Sequence, residues 1–275
     1  MLLHPENFWA LTLRQLLVIL LITGLLGCAA VNGEADDSHD RSGDLYAASP
    51  NPMAQVDVSL DRALENNKLL LIVLGANWCH DSRALAARLG EAPLEGVIEQ
   101  RYETVLVDVG YYESGMDVVQ RFAAPIIYAT PTVLVVDPQT ELLVNAFNRH
   151  QWGNAHNISM DESVAYFSDL PDRAPVLESS AQLDRLMAEI DAHEAMLAER
   201  VASAYAYIGP RLKRLDQDGR APDNFDQDWK AIAEFRNAIP GDMDALRRQA
   251  MQRVADGEQD IVLQFPDYPE FTARW

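Results

Sequence analysis

The residues best able to do chemistry stand in two short runs. Gly75 to Arg83 reads GANWCHDSR, with Cys79 between Trp78 and His80 and with Ser82 three positions after the cysteine. About fifty residues later comes Ala129-Thr130-Pro131-Thr132. A cysteine attacks sulfur as its thiolate, and a helix N-terminus favours that form through its dipole and its unpaired backbone N–H groups. Cys79 stands at such a junction, because an apolar run ends before it and a helical pattern begins after it. His80, when protonated, adds to the stabilisation, while Asp81 opposes it. Ser82, one turn on, can donate a hydroxyl hydrogen bond towards the sulfur but cannot attack a disulfide. Any bond that Cys79 makes must therefore be resolved by another thiol.

These residues need a frame to hold them. From Val56 onward helical and strand-like segments alternate, the mark of an α/β domain. Ser59 is an N-cap candidate for a short helix to Asn67, and Lys68 to Gly75 is an apolar run suited to a strand buried on both faces. The pattern predicts a helix from Ser82 to about Gln100, interrupted near Gly90 and Pro93, then a buried strand over 102–110 and a helix over 115–123. A strand over 129–137, entered through Pro131, and another over 141–147 are close enough to pair as a hairpin. A helix over 160–170 closes the domain.

Beyond Pro171 the strand patterns stop. Leu183, Leu186, Ile190, His193, Leu197, Val201, Ala204 and Ile208 recur at spacings of three and four, which predicts a long amphipathic helix over 179–208. Two more helices are predicted over 225–237 and 241–256, with Ile239-Pro240-Gly241 as the break between them. The closing QFPDYPEFTARW is aromatic and proline-broken, and is expected to pack across a surface.

Over about Val56 to Leu170 the chain resembles the thioredoxin family: a helix, a buried strand ending in Trp78-Cys79-His80-Asp81-Ser82, a β-α unit, and Thr130-Pro131-Thr132 opening a hairpin. The resemblance implies a thioredoxin-like α/β fold, a central mixed sheet flanked by helices, here with a C-terminal α-helical extension. It also implies that Cys79 is the nucleophile, and that the Thr130-Pro131 bond is cis with its backbone facing the sulfur. Trp78, Thr130 and Pro131 would then line the substrate groove. Two positions depart from the family pattern: Ser82 replaces the second motif cysteine, and Val73 replaces the buried acid that many thioredoxins carry six positions before the nucleophile. A two-thiol reductase needs an attacking thiol, a resolving thiol and a base, and only the first is retained.

Three readings remain open. Cys79 forms a mixed disulfide that a small thiol such as glutathione, or another protein's thiol, resolves. Alternatively it reduces a sulfenic acid or carries a glutathione adduct. In the third reading the scaffold only binds or assembles with a partner, since fold does not fix function. The expected partners are protein thiols or disulfides, and neither a cofactor nor a metal is expected.

The N-terminus carries its own signal. Arg14 precedes the apolar run Leu16 to Leu26, which falls short of the ~20 residues of a spanning helix. The run ends in Leu25-Leu26-Gly27-Cys28, which resembles the lipobox of bacterial lipoproteins. That resemblance implies removal of residues 1–27, a lipid on Cys28, and a bacterial envelope location facing the periplasm. Ala29 after the cysteine favours the outer membrane. An ordinary signal peptide or an uncleaved anchor is the alternative. Residues 28–55, poor in large apolar side chains, are expected to form a flexible tether with a reach of roughly 25–30 Å. Residues 56–172 then make the thioredoxin-like domain and 173–275 the helical extension. The chain has two cysteines, so a lipidated Cys28 leaves Cys79 as the only free thiol.

Other signals exclude function classes. With 22 basic and 42 acidic residues the formal charge is −20, which repels nucleic-acid phosphates. His193-Glu194 begins a zinc-protease pattern, but Leu197 takes the second histidine's place, leaving a helix-face histidine whose bonds are expected to be satisfied. Asp216 to Gly219 lacks the spacing of a calcium loop and reads as an acidic turn. His150 and His156 flank Trp152 in what reads as a surface loop. There is no G-x-S-x-G and no dinucleotide fingerprint.

Overall fold

In the computed structural model, residues 44–122, 124–175 and 179–268 are described. The expected signal peptide, Cys28 and the first part of the tether lie outside them.

Strand β1 (Leu69–Gly75) has the sequence LLLIVLG and is buried along its whole length. Alternation sends Leu70, Ile72 and Leu74 to one face of the sheet and Leu69, Leu71 and Val73 to the other. Such a strand must be central and covered on both sides. It pairs parallel with β2 (Tyr102–Asp108), Gly75 standing opposite Asp108, and antiparallel with β3 (Thr132–Asp137), Leu74 standing opposite Thr132. The two-residue β4 (Leu142–Leu143) completes the order β2-β1-β3-β4.

Five helices flank this sheet: α1 (Pro52–Asn66), α2 (His80–Leu89), α3 (Leu94–Arg101), α4 (Met116–Arg121) and α5 (Met160–Asp169). Val56, Leu60 and Ala63 of α1 and Val118 and Val119 of α4 cover one face. Leu85, Leu94, Ile98 and Phe167 cover the other, together with Trp152 from a 3-10 segment, Arg149–Asn157. The result is the expected central mixed sheet flanked by helices, followed by a C-terminal helical region.

Local chemistry moves several boundaries. Helix α1 starts at Pro52 rather than Ser59, because Asn51 caps Ala54 N–H and Pro52 supplies a pre-set first turn. Ser59 is buried within it. Ordered packing begins earlier still, ahead of residue 55: Tyr46 is 1% exposed and exchanges backbone hydrogen bonds with the Asn77 side chain. Its ring occupies the space beside Gly75, where a Cβ would come within 2.5 Å of it. The hairpin strand expected over 141–147 reduces to Leu142–Leu143. Beyond it the Asn145 side chain takes over the ladder, accepting from Val135 N–H at 2.8 Å and donating to Val133 C=O at 2.9 Å. Helix α5 begins with a capping box between Ser159 and Glu162.

The extension is two long helices, α6 (Ala181–Asp218) and α7 (Phe225–Ala255). Both run through a proline, Pro210 and Pro240. The break expected at Ile239-Pro240-Gly241 is therefore absent. An interior proline costs ~3 kcal/mol, and burial of Ile239, Pro240 and Met243 in the core of the extension offsets it. Asp216 to Asp218 is the last turn of α6, closed by Gly219 in the left-handed region, rather than a separate acidic turn. The final described residues do pack across the helices, with Phe265 on His193 and Tyr268 against Phe235. His193 itself departs from expectation: Nε2 is buried with no hydrogen-bond partner among the described residues, and burial holds the imidazole below its ordinary pKa. Tyr112, Ile126 and Tyr128, from the loops on either side of α4, belong to the same core as α6 and α7. The extension is thus built onto the loops that surround Cys79.

Candidate functional site

Cys79 is the N-cap of α2, with extended backbone angles, and its N–H bonds to Ala76 C=O at 3.1 Å. That turn ends β1 and aims the side chain across the sheet towards the start of β3. There the Thr130-Pro131 peptide is cis. The Cys79 thiol donates to the Thr130 carbonyl at 3.2 Å, so antiparallel pairing of β1 with β3 brings the two sequence motifs together. Cys79 is 9% exposed and Thr130 is buried.

Trp78 lies beside the sulfur-bearing residue and donates its indole N–H to Gly110 C=O at 2.8 Å. Its ring stacks on Tyr111 at 6.3 Å and meets Tyr112 and Trp229 edge-on at 5.5 and 6.1 Å. Ser82 departs from the expected role. Its hydroxyl is buried with no hydrogen-bond partner among the described residues, because the sulfur is paired with Thr130 instead. The Ser82 carbonyl accepts from the Tyr46 hydroxyl at 3.1 Å. His80 is exposed, and its ring rests on His156 at 3.9 Å. The His156 N–H donates to Asp81 Oδ1 at 2.9 Å, so the segment read as a surface loop is a 3-10 helix fixed to α2, with Trp152 fully buried inside it.

Four contributors escape sequence reasoning. Tyr46 sits in a stretch otherwise poor in large side chains; burial drives its phenol well above the ordinary range, and charge on Cys79 would raise it further. Asp108 ends β2 opposite Gly75; burial raises its carboxyl, the Gly110 N–H bond lowers it, and Glu113 and Asp44 raise it again. Trp229 and Arg236 of α7 belong to a segment with no motif, and their only advance signal is aromatic and charged residues at helical spacing.

Two cavities open near this constellation. A slot of about 210 Å³ is lined by Pro131, Thr132, Arg149 and His150 and by Asn237 and Pro240 of α7. A cleft of about 840 Å³ lies between the Tyr111 to Met116 loop and α6. Among the described residues, no group of three side chains is placed to hold a metal. Chemically the arrangement offers one sulfur beside a cis-proline backbone, with no second thiol among the described residues.

No protein-family model and no curated protein matches the chain. Among solved structures, the crystal structure of a disulphide isomerase from Xylella fastidiosa Temecula1 is similar, at 26% sequence identity over 46% of this chain and 96% of that chain, with a TM-score of 0.42.

Proposed function

We propose that this chain is a single-cysteine thiol-disulfide oxidoreductase or isomerase, acting through Cys79 and carried on a lipid-anchored bacterial envelope protein that faces the periplasm. The observation that carries the reading is the 3.2 Å contact of Cys79 Sγ with Thr130 C=O beside the cis Pro131. A substrate disulfide drawn against the Pro131 backbone meets that sulfur. The Cys79 thiolate attacks one sulfur of R–S–S–R′, the Cys79–S–S–R bond forms, and R′S⁻ leaves. A second thiolate from solution attacks the R sulfur and returns Cys79 as thiolate. No electrons remain on the protein, so turnover is compatible with Ser82 in place of a second motif thiol. Protein thiols or disulfides and a small thiol such as glutathione are the partners.

The test is capture of mixed disulfides on the full chain, with Cys79→Ser as control. Exchange that persists in the variant, or wild-type protein that captures nothing, would remove the redox reading. Anchoring is tested separately: Cys28→Ser should release the chain from membranes. A second reading, a non-catalytic binding or assembly lipoprotein on the same scaffold, is favoured by one observation. Only the protonated sulfur makes the bond to Thr130, and that sulfur is nearly covered.

A further inference from the structure

We propose that the slot of about 210 Å³ is a second binding site, one that takes a short monocarboxylic acid through the Arg149 guanidinium. It stands apart from the thiol chemistry. The slot shares Pro131 with the Cys79 site, but neither Cys79 nor Trp78 lines it.

Arg149 opens the 3-10 segment and is 7% exposed. A charge so nearly buried ordinarily has a counter-charge, because an uncompensated one is costly. The buried carboxylates are committed elsewhere. Asp244 pairs with His150 and Arg247, Glu194 with Arg247 and Tyr128, and Asp137 with Arg173 and the Ala174 N–H. Arg149 has one hydrogen bond among the described residues, from Nη1 to Ala146 C=O at 2.6 Å. Its Nε and Nη2 are left without a protein partner, and neither is sealed off. Arg236 shows the contrast: buried to a similar degree, it bonds to the Tyr112 and Tyr205 hydroxyls and lies over the ring of Trp229.

The two unused groups decide the ligand's chemistry. Nε–H and an Nη2–H run parallel along one edge of the guanidinium plane, the fork that grips both oxygens of a carboxylate. Because Arg149 lines the slot, that fork serves a molecule seated there.

The rest of the lining sets charge and size. It includes no Asp or Glu, in a chain with 42 acidic residues. His150 is tied to Asp244 and brings no free cation, so one unpaired guanidinium matches one negative charge rather than two. Asn154 Oδ1 accepts from Asn157, which leaves the Asn154 amide N–H groups able to donate to an anion. Ile126, Ala129, Pro131 and Pro240 supply apolar wall for a hydrocarbon body. Gly153 packs so closely on Ala129 that a Cβ there would lie 2.8 Å from the Ala129 Cβ, so the walls are fixed by packing. The volume lies below the ~300–1,000 Å³ of drug-sized sites, which restricts the acid to a short one.

The experiment is isothermal titration calorimetry on the full chain at pH 7, with the melting temperature as a second readout. Three probes are used: butyrate, its uncharged analogue butyramide, and inorganic phosphate. Butyrate should bind about tenfold or more tightly than either of the others. It should also raise the melting temperature, because a ligand of the folded state alone stabilises that state. Arg149→Lys keeps the charge but loses the fork and should weaken butyrate about tenfold, and Arg149→Met should weaken it further. Asn237 lines the slot yet is exposed on α7, so Asn237→Trp should obstruct butyrate while the melting temperature without ligand stays unchanged. That variant carries the test if the arginine variants misfold. Butyramide binding as tightly as butyrate, phosphate binding more tightly, or butyrate binding that survives Arg149→Met would overturn the proposal. So would butyrate that gives neither heat nor a melting shift.

Discussion

The α/β domain and the helical extension are held together on different terms. Above and below β1 the cores are apolar almost throughout, with Leu, Ile, Val, Phe and Trp from six helical segments closing on the sheet, and the buried charged residues Asp137 and Arg149 bond to backbone groups, Ala174 N–H and Ala146 C=O. The extension also has an apolar core, but charged groups are buried within it: Glu194, Arg236 and Asp244 are all nearly inaccessible. Each of them reaches across to a group beside the site, Glu194 to Tyr128, Arg236 to Tyr112, Asp244 to His150. Apolar burial is non-directional and scales with area. Buried polar contacts are directional and expensive to leave unmade. The difference teaches that packing supplies the stability of the sheet, while polar contacts fix where the extension sits against Trp78 and the loops on either side of α4.

The comparison can be broken in either half. The largest effect is expected in the sheet, where Leu71→Ala removes a fully buried side chain from β1 and should cost about 2–5 kcal/mol in urea unfolding followed by circular dichroism. A loss under about 1 kcal/mol would mean the core collapses around the gap and is less rigid than its packing implies. Next comes Arg236→Met, which keeps most of the volume but strips the Tyr112 and Tyr205 hydroxyls of a charged donor. It should cost about 1.5–3 kcal/mol, and Trp78 fluorescence should shift with it, because Tyr112 and Trp229 both contact the indole. If stability and fluorescence both stay unchanged, apolar packing alone holds the extension, and the contrast between the halves disappears.

How far the sequence could be read follows the same division. β1 and the helix junction at Cys79 were legible because each depends on neighbours in the chain or on simple alternation, whereas the approach of Pro131 was implied only by the resemblance of the two motifs to a known family. Asn145 was not, since its amide replaces backbone in the ladder and nothing in residues 141–147 distinguishes that from a strand. Pro240 read as a break because the burial that offsets its cost comes from α6, a partner that local pattern does not name. Tyr46 was hidden for the opposite reason: a single ring in a polar stretch carries no periodicity, yet it fills the space left by Gly75. The Ser82 hydroxyl was assigned to the sulfur by proximity along the helix, but the Thr130 carbonyl, 51 residues away, holds that thiol.

The smallest expected effect tests the comparison from the other side, at the one perturbed carboxylate next to the site in the α/β domain. Asp108 has no cationic partner among the described residues, whereas Glu194 in the extension is paired with Arg247. Burial is the main cause of the rise in its folded pKa, ahead of the Gly110 N–H bond that opposes it. A carboxyl raised above its unfolded value of about 3.9 binds its proton more tightly when folded. The stability linked to that proton is present below about pH 4 and is lost as pH rises through the folded pKa, so at pH 7 the charge is a net cost. Asp108→Asn removes the charge and keeps an oxygen to accept the Gly110 N–H. The variant should therefore melt above wild type at pH 7, with the gap closing as pH falls below 4. A wild type that melts higher at pH 7 would show that the charge itself is wanted there, and that the α/β domain too uses an ionised group to set the loop carrying Gly110, the residue that holds Trp78 against the site.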